Sequence, residues 1–186
     1  LVSIEQYHRM NINIFIFDYR GYGKSEGSPS EQGTYKDAIA AYSYLTSRKD
    51  VDTKKIFCYG ESLGGAVAID LATRIKPAGV ITIDTFTSIL TISKELYPFL
   101  PIRWLMRTKY DSLSKIKTLH CPVLIAHSKE DDIVPYHHGQ DLYNAANPPK
   151  EFLLLHGSHG EAISVSDNKA LKQVSEFIQR VTSHLL

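Results

Sequence analysis

Phe57-Cys58-Tyr59-Gly60-Glu61-Ser62-Leu63-Gly64-Gly65 is the stretch from which the fold of this chain can be read. The apolar run over residues 55–59 predicts a short strand, and the small, helix-compatible residues 66–75, ending before Pro77, predict a helix. Between them lies the pattern Gly60-x-Ser62-x-Gly64. A strand that passes into a helix within so few residues must turn very sharply, and the turn lifts the serine hydroxyl clear of the carboxyl end of the sheet. The backbone there is strained, so the positions two residues to either side must be small; Gly60, Gly64 and Gly65 meet that demand. Glycine and serine frequencies alone produce the pattern in roughly one chain in twenty of this size. The strand before it and the helix after it separate this match from chance.

Outward from that turn, strands and helices alternate to both ends of the chain. Ser3 with Gln6 has capping-box spacing and predicts a short helix to about Met10. Residues 12–17, Ile-Asn-Ile-Phe-Ile-Phe, are β-branched, aromatic and almost all apolar, as expected of a strand covered on both faces. Residues 18–29 read as a long loop, after which Tyr35, Ala38, Ile39, Tyr42 and Leu45 recur at helical steps. Further strands are predicted over 80–84, 123–127 and 152–155, and helices over 138–144 and 171–181. The segment 87–119 is broken by Tyr97-Pro98-Phe99-Leu100-Pro101, with Trp104, Leu105 and Met106 on a short helix; it has room for a small lid but not for a full cap domain. The alternation implies an α/β fold, a mostly parallel sheet with helices on both faces, in a single domain spanning 1–186.

The 186 residues are enough to bury a substantial core, and 43% hydrophobic with 22% charged is ordinary globular composition. The 21 basic and 20 acidic residues are mixed along the chain, which gives no basis for a nucleic-acid partner or an acidic membrane surface. Cys58 and Cys121 border apolar runs and read as buried free thiols of a reducing compartment, so a cytoplasmic location is expected. No stretch approaches the roughly 18 apolar residues of a membrane span, and Glu5, Gln6, His8 and Arg9 interrupt any signal-like start.

Serine is a poor nucleophile near neutral pH unless a base takes its proton and a carboxylate holds that base in the right tautomer. Glu130, Asp131 and Asp132 follow the strand at 123–127, in a run that also fits a solvated loop. Asp84, at the end of the preceding strand, is a rival acid, whereas Asp70 reads as a surface charge in mid-helix. After the last strand, His156 continues the apolar run and reads as strand-end packing. His159, two residues beyond Gly157 on a flexible loop, can swing back toward Ser62. His8, His120, His137, His138 and His184 read as surface residues. The amide of Leu63 lies at a helix N-terminus, where unpaired N–H groups favour an oxyanion. The cysteines and histidines lack ligand spacing, so no metal or organic cofactor is implied.

Several motifs in order resemble a known family. Phe17-Asp18-Tyr19-Arg20-Gly21-Tyr22-Gly23-Lys24-Ser25, Gly60-Glu61-Ser62-Leu63-Gly64-Gly65, Asp84-Thr85-Phe86-Thr87-Ser88, Cys121-Pro122-Val123-Leu124-Ile125-Ala126-His127 and Gly157-Ser158-His159-Gly160 are similar to cap-less α/β-hydrolases related to prolyl-oligopeptidase-like and membrane-anchored serine hydrolases. The family pattern Gly-x-x-Asp-x-x-Val-Pro aligns with residues 128–135, with Ser128 in the glycine place and Asp131 in the acid place. The resemblance therefore implies Asp131 over Asp132 as the acid and His159 over His156 as the base. It also implies strands and a His-Gly-rich oxyanion loop ahead of the first helix, so this chain reads as an amino-terminally truncated domain.

The combined expectation is a serine hydrolase that cleaves an ester, thioester or amide through an acyl-enzyme on Ser62, with Asp131 and His159 behind it and the Leu63 amide in the oxyanion hole. An esterase or thioesterase for a small-molecule apolar acyl substrate comes first and a small-peptide peptidase second. Tyr19, Trp104 and Met106 are the expected substrate contacts, and membrane association is expected only through a segment ahead of this chain. The rival from another class is a non-catalytic hydrolase-fold binding module.

Overall fold

Residues apolar on both faces build the centre of the molecule, whose computed structural model describes residues 7, 8, 10–101, 106, 108–161, 163 and 167–183. Strands β1 (Phe57–Glu61), β2 (Gly79–Ile83), β3 (Val123–Ser128) and β4 (Lys150–Leu155) pair in that order, and every pair is parallel. The register sets Tyr59 beside Ile81, Ile81 beside Leu124, and Leu124 beside Glu151. Every residue of β2 and of β3 is buried, the condition of central strands with helices on both faces. The helices are α1 (Glu31–Ser47), α2 (Leu63–Arg74), α3 (Ile89–Leu96), α4 (Ser112–Ile116), α5 (His137–Ala145) and α6 (Asp167–Ser183). The α/β class expected from the alternation is the one observed.

Strand alternation sorts the core into two layers. Ile81, Ile83, Leu124, Ala126, Leu153 and Leu155 meet Leu171, Val174 and Phe177 of α6 on one face. Cys58, Val80, Val123 and Ile125 meet Ala68, Ile69 and Ala72 of α2, Ile116 of α4 and Leu142 of α5 on the other. Burying each such Leu, Ile, Val or Phe side chain contributes roughly 1.5–3 kcal/mol. Helix starts are fixed locally: Ser30, Ser88 and Asp111 accept the N–H groups of Gly33, Thr91 and Ser114 through their side chains.

Residues 12–17 do not form the expected covered strand. Ile14, Phe15, Ile16 and Phe17 are 40%, 41%, 73% and 36% exposed, and the backbone is irregular. A strand exists through its ladder, and among the described residues no strand pairs with this segment or with the outer edge of β1. Phe15 instead contacts Phe17 and Tyr44 of α1, at ring separations of 6.2 and 5.6 Å.

Two polar residues read as surface groups are in fact buried. Asp70 is 1% exposed and pairs with Arg74 at 2.7 Å and Lys115 at 2.8 Å, because α2 turns it toward α4 rather than outward. His138 is fully buried: its Nδ1 accepts the Thr87 N–H at 3.2 Å, leaving Nε2 to donate to Glu95 at 3.2 Å. It thus ties α5 to α3. Tyr7 and His8 are helical, Met106 is half-buried in irregular backbone, and Ser3, Gln6, Trp104, Leu105 and His184 lie outside the described residues.

Candidate active site

Because the strands are parallel, their carboxyl ends gather at one edge of the sheet, and each of the four delivers a polar residue there. Ser62 follows β1 with φ 51° and ψ −116°, in the left-handed region that a non-glycine residue occupies only under local constraint. Its amide donates to Ile83 at 2.8 Å, which pins the turn to β2. A Cβ at Gly60 would overlap the backbone of Gly64, and one at Gly65 would overlap the Thr85 side chain, so α2 can start this close to the sheet only with glycine at both places. Gly64 is less confined: a Cβ there would meet only the Tyr19 hydroxyl, at 3.9 Å. Leu63 opens α2, so its amide is one of those a helix leaves without an internal acceptor.

Asp131 and His159 come from the loops after β3 and β4. His159 Nδ1 lies 2.8 Å from Asp131 Oδ2. The other carboxylate oxygen, Oδ1, accepts the N–H groups of Ile133 at 2.9 Å and Val134 at 2.7 Å. The Asp131 side chain is fully buried and that of His159 is 14% exposed. Asp132, the discarded acid, accepts the His159 amide at 3.1 Å and so fixes the loop that carries the ring. That bond holds the Asp132 carboxyl below the usual carboxylate range. Glu130 is drawn away to His156 at 3.1 Å. His156 is therefore an exposed ion-pair partner rather than strand-end packing, because the register turns it outward where Glu130 can reach it.

Three further groups brace this pair: His127, Ser128 in the family's glycine place, and Asp84, the rival acid. His127 is fully buried, and its Nε2 donates to the Val134 carbonyl at 2.9 Å, closing the loop that holds Asp131. Burial holds its pKa below the ordinary imidazole range. Ser128 donates through its hydroxyl to the Gly157 carbonyl and through its amide to Asp84 Oδ1 at 2.7 Å, joining the ends of β2, β3 and β4. Asp84 is fully buried with φ 46°, the second left-handed residue at a strand end, and its Oδ2 has no partner among the described residues. Burial pushes the Asp84 carboxyl up to about 6, against the Ser128 N–H and with the help of the Asp131 charge. Burial likewise raises Glu61, whose Oε1 lies 3.8 Å from where a Cβ on Gly160 would sit. In the sequence Asp84 stands out as a rival acid at a strand end, whereas nothing but placement marks the bracing role of His127.

Of the expected substrate contacts, Tyr19 stands beside the turn: it packs against the same buried cluster as Leu63, and its hydroxyl lies close to Gly64. Burial raises its phenol to about 12, so it remains a neutral donor. Met106 is half-buried in irregular backbone, and Trp104 is outside the described residues. Two groups among the described residues bring three possible metal ligands within 4.8 Å, Glu95 with His137 and His138, and Asp84 with His127 and Asp131. In the first, the Thr87 N–H occupies His138 Nδ1 and leaves the proton on Nε2, the nitrogen a cation would need. In the second, His127 Nε2 is engaged with Val134 and Asp131 with His159.

The sequence profile of the prolyl oligopeptidase family matches residues 6–184, a span that includes the left-handed serine, Asp131 and His159. The chain belongs to that family. It is 38% identical over 172 residues to an uncharacterized protein of Mycobacterium tuberculosis, a match covering 92% of this chain and 61% of that one. It is 37% identical over 163 residues to the alpha/beta hydrolase domain-containing protein WAV2 of Arabidopsis thaliana, covering 78% of this chain and 53% of that one. This prolyl oligopeptidase family member thus spans roughly three fifths or less of the length of these curated relatives. Among solved structures, a Pyrococcus furiosus esterase superposes with a TM-score of 0.78 over 95% of this chain and 73% of its own, at 22% identity, which shows the shared α/β-hydrolase fold. Among the described residues, no helix is long and apolar enough to cross a membrane.

Proposed function

We propose that the protein is a serine hydrolase in which Ser62 attacks an acyl carbonyl, His159 serves as general base and Asp131 orients it. The observation that carries this reading is the 2.8 Å bond from His159 Nδ1 to Asp131, at the same sheet edge as a serine held in a left-handed turn. That bond fixes the tautomer: with the proton on Nδ1, Nε2 keeps its lone pair and can accept the Ser62 hydroxyl proton. The oxyanion formed on the carbonyl is held by the Leu63 amide at the start of α2, where the helix dipole adds to the N–H. His159 then returns its proton to the leaving group, and a water activated by the same nitrogen releases the acyl group from Ser62.

An ester or thioester is the proposed bond, and Tyr19, beside the turn, the proposed acyl-side contact. Peptide cleavage is the second reading, favoured by the family whose profile the chain matches. Hydrolysis of p-nitrophenyl acyl esters by the full-length protein tests the proposal. Ser62→Ala is expected to lower kcat by a factor of about 10³ or more. A wild-type protein that turns over neither these esters nor prolyl-amide substrates contradicts it in favour of a binding module.

A further inference from the structure

The strongest feature that this mechanism leaves unused is a second buried carboxyl behind its acid. Asp84 follows β2, the strand between the one that ends at Ser62 and the one that leads to Asp131. Its side chain is fully buried, its backbone is held left-handed at φ 46°, and Oδ2 lacks a partner among the described residues. Oxygen atoms of Asp84 and Asp131 and a ring nitrogen of His127 lie within 4.8 Å of one another. A left-handed non-glycine backbone and an unsatisfied buried oxygen are each destabilising. Both fall on one residue. A carboxyl kept there at that cost points to a role in its charge.

We infer that Asp84 is a positioning residue of the site, a second acid whose ionisation strengthens the hold of Asp131 on the protonated form of His159. The inference rests on the Ser62, His159 and Asp131 reading and adds to it a switch in charge. The groups that face Asp84 are Tyr59 and Glu61 from β1, His127 and Asp131 from β3 and its loop, and His159 from the loop after β4. Burial opposes a charge on His127, so the cation that forms as Ser62 attacks is the one on His159. When Asp84 is neutral, one carboxylate stands directly behind the imidazolium that forms as Ser62 attacks. When it ionises, a second charge acts on the same ring through a water-poor interior, where charges a few ångströms apart interact far more strongly than in bulk water. The pH at which Asp84 passes between these forms, about 6, lies inside the working range of an imidazole base.

Two measurements decide it. In the wild-type protein, the ring resonances of His159 and the ¹³C carboxyl resonance of Asp84 are followed by NMR from pH 4 to 9. The inference expects the His159 resonances to move in two steps, one of them tracking the Asp84 carboxyl; a single step with no movement at the Asp84 midpoint overturns it. In Asp84→Asn, which keeps an oxygen for the Ser128 amide, the acid limb of kcat/KM against pH is expected at lower pH, with the plateau lowered about tenfold. A profile superimposable on the wild type overturns it as well. An active protein whose His159 titrates in one step refutes Asp84 alone, whereas two-step titration in a protein that hydrolyses nothing refutes the hydrolase reading alone.

Discussion

His159 Nδ1 and Asp131 Oδ2, from loops after adjacent strands, meet at 2.8 Å, while the other oxygen of the same carboxylate takes two backbone N–H groups. The carboxylate is therefore held from both sides, and the ring it holds cannot rotate without breaking that bond. Asp131→Asn keeps the two loop bonds through its amide oxygen but offers His159 the wrong partner. The expected result is a fall of about 10³–10⁴ in kcat with unchanged thermal stability. Ester-hydrolysis kinetics beside a circular-dichroism melt check it.

His127 closes the loop that carries Asp131 through its 2.9 Å bond to the Val134 carbonyl. His127→Phe fills the same space but strands a buried carbonyl. It is expected to cost about 1–3 kcal/mol of unfolding free energy, read as a lower urea midpoint. Activity at 25 °C should fall with it, because the loop positions the acid.

Gly60 and Gly64 occupy the two ends of the serine motif but not equivalent space. Gly60→Ala pushes a Cβ into the backbone of Gly64 and is expected to lose about 1–3 kcal/mol. Gly64→Ala, with only the Tyr19 hydroxyl at 3.9 Å, gains helix propensity in α2 and is expected to hold or raise stability by up to about 1 kcal/mol. Equal losses from both substitutions contradict this account.

Burial lowers the His127 and His138 pKa values below the ordinary imidazole range, with Glu95 opposing the effect at His138. The unfolded chain then takes up protons before the folded one does. The stability contributed by keeping these rings neutral is complete above about pH 6.5 and is lost as pH falls through the lowered values. Asp84 and Glu61, whose carboxyls are raised, act in the opposite direction, so the test is the difference: between pH 7.5 and 5 the melting temperature of His138→Gln should fall less, or rise more, than that of the wild type.

The fold was legible because the deciding signals are local. The run at residues 57–61 ends in a sharp turn that needs glycine at Gly60 and Gly65, and β2 and β3, apolar but for Thr82, His127 and Ser128, announce central strands. Residues 12–17 carry an equally strong strand pattern and form none, since pairing depends on a partner that no local pattern specifies. Asp70 and His138 were misread for a related reason. Helical spacing says which residues share a face but not whether Lys115, Thr87 or Glu95 waits opposite. Ser62 and His159 announce themselves by their glycine-rich surroundings. Asp84 reads as a rival acid at a strand end, but its burial and unsatisfied oxygen, like the committed ring of His127, arise only in the assembled strand ends.

The central claim is that Ser62 is an activated nucleophile, and the most direct measurement is its covalent capture. The full-length protein is treated with a fluorophosphonate probe, digested, and the adduct is located by mass spectrometry. The account predicts one adduct, on Ser62 in the peptide containing Gly60-Glu61-Ser62-Leu63-Gly64, abolished by Ser62→Ala and strongly slowed by His159→Ala. An adduct on another residue that survives Ser62→Ala, or no adduct on the folded wild-type protein, contradicts it.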